Sequence, residues 1–219
     1  MATSQPEDSG STSRLERRKA QTRQKLVDAA RAMLADGRAQ TASIQDITEA
    51  ADVGFGSFYN HFESKSALFD AAVEDALEEI GQVLDRLSSD VTDPALAFAR
   101  SVRFAARFTR TGREAGQILV HHGMAYMDSE RGLAPRALHD INNGIATGRF
   151  RVANARLALA TIAGSLLAMM YISLTDPDLV DDAACDQLAE QLLRMLGVPP
   201  AEARKLASAP LPDLEGPER

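Results

Sequence analysis

Between Ser43 and Lys65 the sequence reads SIQDITEAADVGFGSFYNHFESK, and its polar side chains are of the kinds that contact nucleic acid. Gly56 opens a short helical stretch and, lacking a side chain, admits a phosphate or base edge close to the backbone. Ser57 can donate to either. Asn60, one turn on, carries the paired donor and acceptor that match adenine N6 and N7. Phe55 can touch a thymine methyl or simply cover the turn. Lys65 falls in the first turn of the following helix, where the helix dipole disfavours a cation. A phosphate nearby would offset that cost. Upstream, the stretch from Arg14 to Lys25 holds six cations and one anion. Its leading residues Arg14, Arg17 and Arg18 can extend as an arm into a flanking groove, or the stretch can be a solvated helix face. Plainer roles compete elsewhere too. Phe58 and Phe62 read as core, Tyr59 can serve only to pack, and Ser57 and Asn60 can be ordinary helix surface.

Other chemistry is sparse. The sequence contains no G-x-S-x-G elbow, no phosphate-binding loop and no H-E-x-x-H pair. The single Cys185 excludes an internal disulfide, agrees with a reducing cytosol and has no apparent base partner. The adjacent His121 and His122 diverge by about 100° on a helix, and His139 is distant, so no metal or cofactor is expected. Against a DNA-reading protein stand two other classes: a helical protein-interaction module without DNA binding, and a small-molecule enzyme.

These residues need helices to position them. Leu26, Ala29, Ala30, Met33 and Leu34 share one face of a helix over about 14–35, ended by Asp36-Gly37. Ser43 caps a short helix to Ala51, lined by Ile44 and Ile47. Asp52-Val53-Gly54 turns the chain into a second short helix over 55–61. So tight a turn makes the two helices cross steeply, as in a helix-turn-helix. Ser64 then caps a long helix to about Leu87. Further helices are expected at 94–111, 113–122, 129–147, 151–174 and 179–196, with a last turn at 201–207. Nothing reads as a strand, so the fold class is all-α. Residues 1–13 and 208–219 read as a disordered tail and a flexible tail, 14–80 as the small domain and 81–207 as a larger helical domain.

Hydrophobic residues at 45% and charged residues at 25% allow an ordinary globular core. The net charge of −7 argues against a nucleic-acid partner until its distribution is considered. Residues 14–65 carry a small cationic excess, while 66–219 are acidic, so the positive field is confined to one end. The N-terminus lacks the apolar stretch of a secretory signal, which points to the cytoplasm. Leu157 to Thr175 is uncharged and long enough to cross a bilayer. Its many Ala, Gly, Ser and Thr residues favour a buried helix and no membrane partner.

The segment SIQDITEAADVGFGSFYNHFESKSALF, Ser43 to Phe69, preceded by a basic helix, resembles the DNA-binding domain of TetR-family transcriptional regulators. The resemblance lies in the isoleucine-centred short helix, Ala50-Ala51, Gly56-Ser57-Phe58-Tyr59, His61-Phe62, and Ser64-Lys65 opening a long helix. It covers roughly residues 14–80. Gly54 and Phe55 depart from the usual pattern, since a Ser or Thr and a polar or basic residue are common there. The resemblance implies DNA contacts from Ser43, Gln45, Phe55, Gly56, Ser57, Tyr59, Asn60, His61 and Lys65, with Tyr59 and His61 on phosphates and Gln45 reaching a base. It also implies a regulator, typically a repressor, released from a palindromic operator by a small apolar or amphipathic effector.

One small helix-turn-helix reads few bases. A two-fold dimer would double the site and place half-site centres about 34–36 Å apart or a multiple of it. The helices at about 151–174 and 179–196 are the expected interface, with Gly164 and Ala168 permitting close approach. Candidate effector-lining residues are Phe104, Phe108, His121, His122, Met124, Tyr126, Met127, Phe150, Leu166 and Met170, though each can equally be ordinary core.

Overall fold

The computed structural model describes residues 9–130 and 132–212, and no strand occurs among them. The chain divides into two compact units, one up to Ala72 and one from Val73. The division falls within α4, earlier than the boundary near residue 80 that sequence patterning suggests.

The first unit holds α1 (Ser9–Ala35), α2 (Ile44–Ala50), α3 (Phe55–Phe58) and the start of α4 (Lys65–Ser88). α1 begins at Ser9, so residues 9–13 are helical, not part of a disordered tail; residues 1–8 lie outside the described residues. The unit buries Leu26, Val27, Ala30, Met33, Leu34, Ile47, Phe58, Phe62, Leu68 and Ala72. Each large apolar side chain so enclosed contributes about 1.5–3 kcal/mol. Gly37 ends α1 at φ +71, and Arg38 N–H closes on Met33 C=O at 2.8 Å, the hydrogen bond of a left-handed helix stop. Ser43 and Asp46 form a reciprocal capping box at the start of α2. The left-handed residue of the next turn is Asp52, at φ 52, while Gly54 keeps an ordinary φ of −65.

The second unit holds the rest of α4, then α5 (Pro94–Thr111), α6 (Arg113–His122), α7 (Leu133–Ala146), α8 (Ala155–Thr175), α9 (Asp182–Met195) and α10 (Pro200–Ala207). Side-chain caps start three of them: Asp93 accepts from Ala95 N–H at 3.0 Å, Asn154 from Leu157 N–H at 3.1 Å, and Asp181 from Ala184 N–H at 2.8 Å. α5 packs against α8 and α9. The core runs through Ala99, Val102, Ala106, Ile141, Phe150, Ile162, Leu192 and Leu193. Arginines fasten its rim. Arg103 and Arg107 both reach Asp186 at 2.7 Å, Arg110 reaches Asp182 at 2.6 Å, and Arg149 bridges Asp93 and Glu202, each at 2.7 Å.

α8 is long and apolar enough to cross a membrane by length and composition. In the fold its two faces differ. Ala158, Leu159, Ile162, Met170 and Ser173 are buried, and Ser173 Oγ accepts a 2.8 Å hydrogen bond from the Thr109 hydroxyl of α5. The opposite stripe of Leu157, Thr161, Gly164, Ala168 and Tyr171 is exposed, with Leu157 at 66% and Tyr171 at 55%. α9 spends its apolar face inward, on Cys185, Leu188, Ala189, Leu192 and Leu193. Unsatisfied apolar surface therefore lies on α8, not equally on both helices.

Candidate functional site

In the first unit α3 is only four residues long, with Tyr59 as its C-cap. It does not run to His61. The chain continues in tight turns, as Asn60 N–H bonds Ser57 C=O at 3.2 Å and His61 N–H bonds Phe58 C=O at 2.9 Å. Phe58 and Phe62 anchor this segment from below and are buried. Its outer side is open. Phe55 is 53% exposed and Tyr59 57% exposed, their rings meeting edge to face at 6.1 Å. Phe55 thus stands out from the surface and does not cover the turn. Gly56 and Asn60 are also exposed, Ser57 and His61 half-buried, and nothing lies within 4 Å of where a Gly56 Cβ would stand. Gln45 is exposed on α2 and donates to Glu49 at 2.9 Å. Ser43 is occupied by its cap.

A cationic cluster flanks this surface. Burial, then the charges of Lys19 and Arg23, hold the His61 imidazole below its usual pKa, and the Arg23 guanidinium lies 5.1 Å from the Phe62 ring centre. Arg14, Arg17 and Arg18 are exposed on the continuous α1 helix, so they project from a rigid element and do not form an extended arm.

Lys65 has a different task from the phosphate contact that its position suggests. Its ammonium donates to the carbonyls of Ala39, Gln40 and Ala42 at 3.3, 3.0 and 2.9 Å. An ammonium has three N–H bonds, and all three are directed at the α1–α2 loop. These carbonyls, not a phosphate, offset the cost of a cation at the start of α4. Ser64 caps that helix, its hydroxyl accepting from Ala67 N–H at 3.1 Å.

The second unit contains a cavity of about 150 Å³, walled by α4, α5, α7, α8, Leu119 of α6 and the turn that follows α6. Of the residues singled out from sequence, Phe108, Tyr126, Met127, Leu166 and Met170 line it. Phe104, His121, His122, Met124 and Phe150 do not. Phe150 is core, packed edge to face on Phe98 at 5.9 Å. Met124 is exposed, and His121 Nδ1 sits 2.7 Å from Gln117 C=O. Phe104 stacks obliquely on Phe108. Burial, with His121 beside it, lowers the His122 pKa. Among the described residues no group of three or more potential metal ligands occurs.

Sequence reasoning missed the polar end of the cavity, where Asp85, Ser88, Ser101, Arg136 and Asp140 contribute to the lining. Arg136 donates to Glu78 at 2.8 and 2.9 Å, to Asp85 at 3.0 Å and to Gly132 C=O at 3.0 Å. Gly81 makes room for it: a Cβ there would stand 2.7 Å from Arg136 Nη1. Burial raises the Asp140 carboxyl pKa, the nearby Asp85 charge raises it further, and His139 opposes both.

A short exposed helix anchored by two phenylalanines, set behind a capped supporting helix and a cationic helix, is a helix-turn-helix DNA-binding module. Joined to an all-helical body that contains a largely apolar cavity, it is the arrangement of a bacterial transcriptional regulator. Comparison with known proteins agrees. Residues 26–72 match bacterial regulatory proteins of the tetR family, and residues 93–209 match the tetracyclin repressor-like C-terminal domain. The chain belongs to the TetR family. It is similar to the transcriptional repressor DhaR of Mycobacterium sp. (strain GP1), at 33% identity over 72 residues that span 36% of that protein. The crystal structure of RolR with the ligand resorcinol is 34% identical, covering 90% of this chain and 98% of that one at a TM-score of 0.64. RolR without ligand is 37% identical, covering 86% and 98%, at a TM-score of 0.68. A fatty acid degradation regulator, FadR from Bacillus halodurans, shares the fold at 18% identity, covering 78% and 94%, with a TM-score of 0.66.

Proposed function

We propose that this chain is a cytoplasmic homodimeric repressor that leaves its palindromic operator when a small hydroxylated aromatic molecule fills the cavity of the second unit. The DNA-facing part of the reading is carried by α3. Its buried Phe58 fixes the segment while Phe55, Gly56, Tyr59 and Asn60 face outward together. Asn60 and Gln45 read base edges, and Tyr59 with the Lys19, Arg23 and His61 cluster holds phosphates. The exposed Leu157–Tyr171 stripe of α8 is the centre of the dimer, since Gly164 and Ala168 let a second copy approach closely and Tyr171 supplies a large ring to bury. That use of the outer face also accounts for the apolarity of α8 without a membrane.

The effector class rests on two supports. A cavity of about 150 Å³ matches one six-membered ring, and RolR, similar over nine tenths of this chain, has been crystallised with resorcinol. α4 contributes Leu77, Ile80, Leu84 and Asp85 to the cavity wall and begins at Lys65 in the DNA-binding unit, so it is the element through which occupancy reaches α3. The coupling is reciprocal: an effector that weakens operator binding must itself bind the operator complex more weakly by the same factor.

Fluorescence anisotropy on labelled upstream DNA and on random DNA tests the first half. A steep salt dependence with preference for one sequence is expected. Resorcinol is then titrated into free protein and into the complex. Equal affinity in both states would refute the switching mechanism, and absence of any sequence preference would refute the repressor reading.

A further inference from the structure

We infer that the polar end of the cavity selects uncharged hydroxyl donors and turns away carboxylates, because Arg136 in the cavity wall is already neutralised by acids of this chain. This inference rests on the cavity being the effector site and adds which chemistry it accepts.

An arginine facing a ligand cavity ordinarily signals an anionic ligand, held by the paired N–H fork. Here the fork is taken. Both Nη atoms of Arg136 are engaged by the Glu78 carboxylate, at 2.8 and 2.9 Å, and Nε by Asp85 at 3.0 Å. Gly132 C=O accepts a further N–H from Nη1 at 3.0 Å. Four of the five N–H bonds of a guanidinium are thus committed within the protein. The charge balance points the same way. Among the described residues at this end, the Arg136 guanidinium stands beside three carboxyl groups, Glu78, Asp85 and Asp140, with His139 next to Asp140, and Asp85 and Asp140 line the cavity. A carboxylate entering this end adds a further anion beside Asp85 and Asp140. To bind, it would also have to displace Glu78 or Asp85 from Arg136.

A hydroxyl has the opposite fit. Asp85 and Asp140 offer carboxyl oxygens at the cavity wall, and Ser88 of α4 and Ser101 of α5 contribute to the same lining. A phenolic O–H donated to a carboxylate is a charge-assisted hydrogen bond, among the stronger kinds. The rest of the wall is apolar, including Ile80, Phe108, Ile162 and Met170, so the ring itself is enclosed by hydrocarbon. Asp140 lines the same cavity, and its carboxyl pKa is raised by burial first and by the Asp85 charge after it, with His139 opposing both.

The test uses the full-length protein and isothermal titration calorimetry with two ligands that differ in one group, resorcinol and 3-hydroxybenzoate. Resorcinol is expected to bind at least ten times more tightly at pH 7. Asp140→Asn keeps the size of the side chain and leaves the Arg136 pairs intact. It is expected to weaken resorcinol at least five-fold and to narrow its advantage over 3-hydroxybenzoate. Asp85→Asn, checked for an unchanged circular dichroism spectrum, is expected to narrow it too, since Nε of Arg136 is then less fully neutralised. The inference is overturned if 3-hydroxybenzoate binds as tightly as resorcinol, if neither binds, or if the Asp140 variant leaves both affinities unchanged. A failure of the regulator reading looks different: resorcinol would bind with this selectivity while the operator complex ignored it.

Discussion

Replacing Lys65 by Met separates the phosphate contact that the sequence suggests from the loop-fastening contact that the structure shows. The substitution keeps the aliphatic stem and removes the ammonium whose three N–H bonds reach Ala39, Gln40 and Ala42 C=O. A hydrogen bond from a charged donor contributes about 1.5–3 kcal/mol net. The three do not add in full, because Gln40 is exposed and its carbonyl regains water, whereas Ala42 is buried. A loss of about 2 kcal/mol in the first unit is therefore expected. At about 1.4 kcal/mol per factor of ten, this is roughly a thirty-fold faster exchange of the buried Ile47 and Leu68 amides wherever unit opening controls exchange. The salt dependence of operator binding reports the other role. Each phosphate contact contributes about 0.9 to the slope of log K against log salt, and the variant is expected to keep the parental slope. Unchanged exchange together with a slope lower by about one would show that Lys65 serves the phosphate backbone, and the structural assignment would be wrong.

Gly144→Ala places a Cβ 2.0 Å from the buried Phe150 ring; overpacking of about 1–3 kcal/mol should lower the melting temperature by several degrees, read by circular dichroism. Asp52→Gly relieves a non-glycine residue at φ 52 and gives up only an exposed 3.5 Å pair with Lys25. It should stabilise by roughly 0.5–1 kcal/mol in urea denaturation. His61 and His122 both have folded pKa values below their unfolded value of 6.5. The unfolded chain then takes up protons first, so their contribution is complete above about pH 6.5 and is lost as the pH falls through the folded values. Melting temperatures at pH 7.5 and 5.5 should show the lower value at 5.5, with the difference reduced in a His61→Gln, His122→Gln variant.

The DNA-binding unit was legible wherever a local rule governs the chain. Gly37 at a left-handed helix stop, Ser43 and Ser64 at helix starts and the Phe58, Phe62 anchor all follow from residue type and spacing. Errors arose where local rules conflict. Ser9 to Ser13 have a loop-like composition, yet α1 extends through them. The turn after α2 takes its left-handed residue at Asp52, which sequence patterning did not single out, while Gly54 keeps an ordinary φ. Recognition segment 55–61 reads as one helix, but its hydrogen bonds tighten after Phe58. Lys65 shows the deepest limit. Its partners lie 23 to 26 residues upstream in a loop of no regular pattern, and only the folded chain brings them to the ammonium.

The cavity shows why apolar lining is easier to foresee than polar lining. Phe108, Met127, Leu166 and Met170 could be named because large apolar residues on helices must bury a face, and a ligand cavity is an incompletely filled part of that interior. Acids and arginines carry no such obligation; on any single helix they read as solvent-facing. Yet one trace was present. Glu78 and Asp85 are seven residues apart on α4, two turns along one face, beside the apolar row of Leu77, Ile80 and Leu84. Two anions on the flank of a buried row offer a site for a cation from another helix packed beside it. Arg136, more than fifty residues on, supplies it. Periodicity identifies such a flank, but charge complementarity between helices identifies its partner. The same pairing that lets Arg136 sit at the cavity wall also fixes what the wall can accept, so the selectivity of the site follows from how the fold itself keeps those acids satisfied.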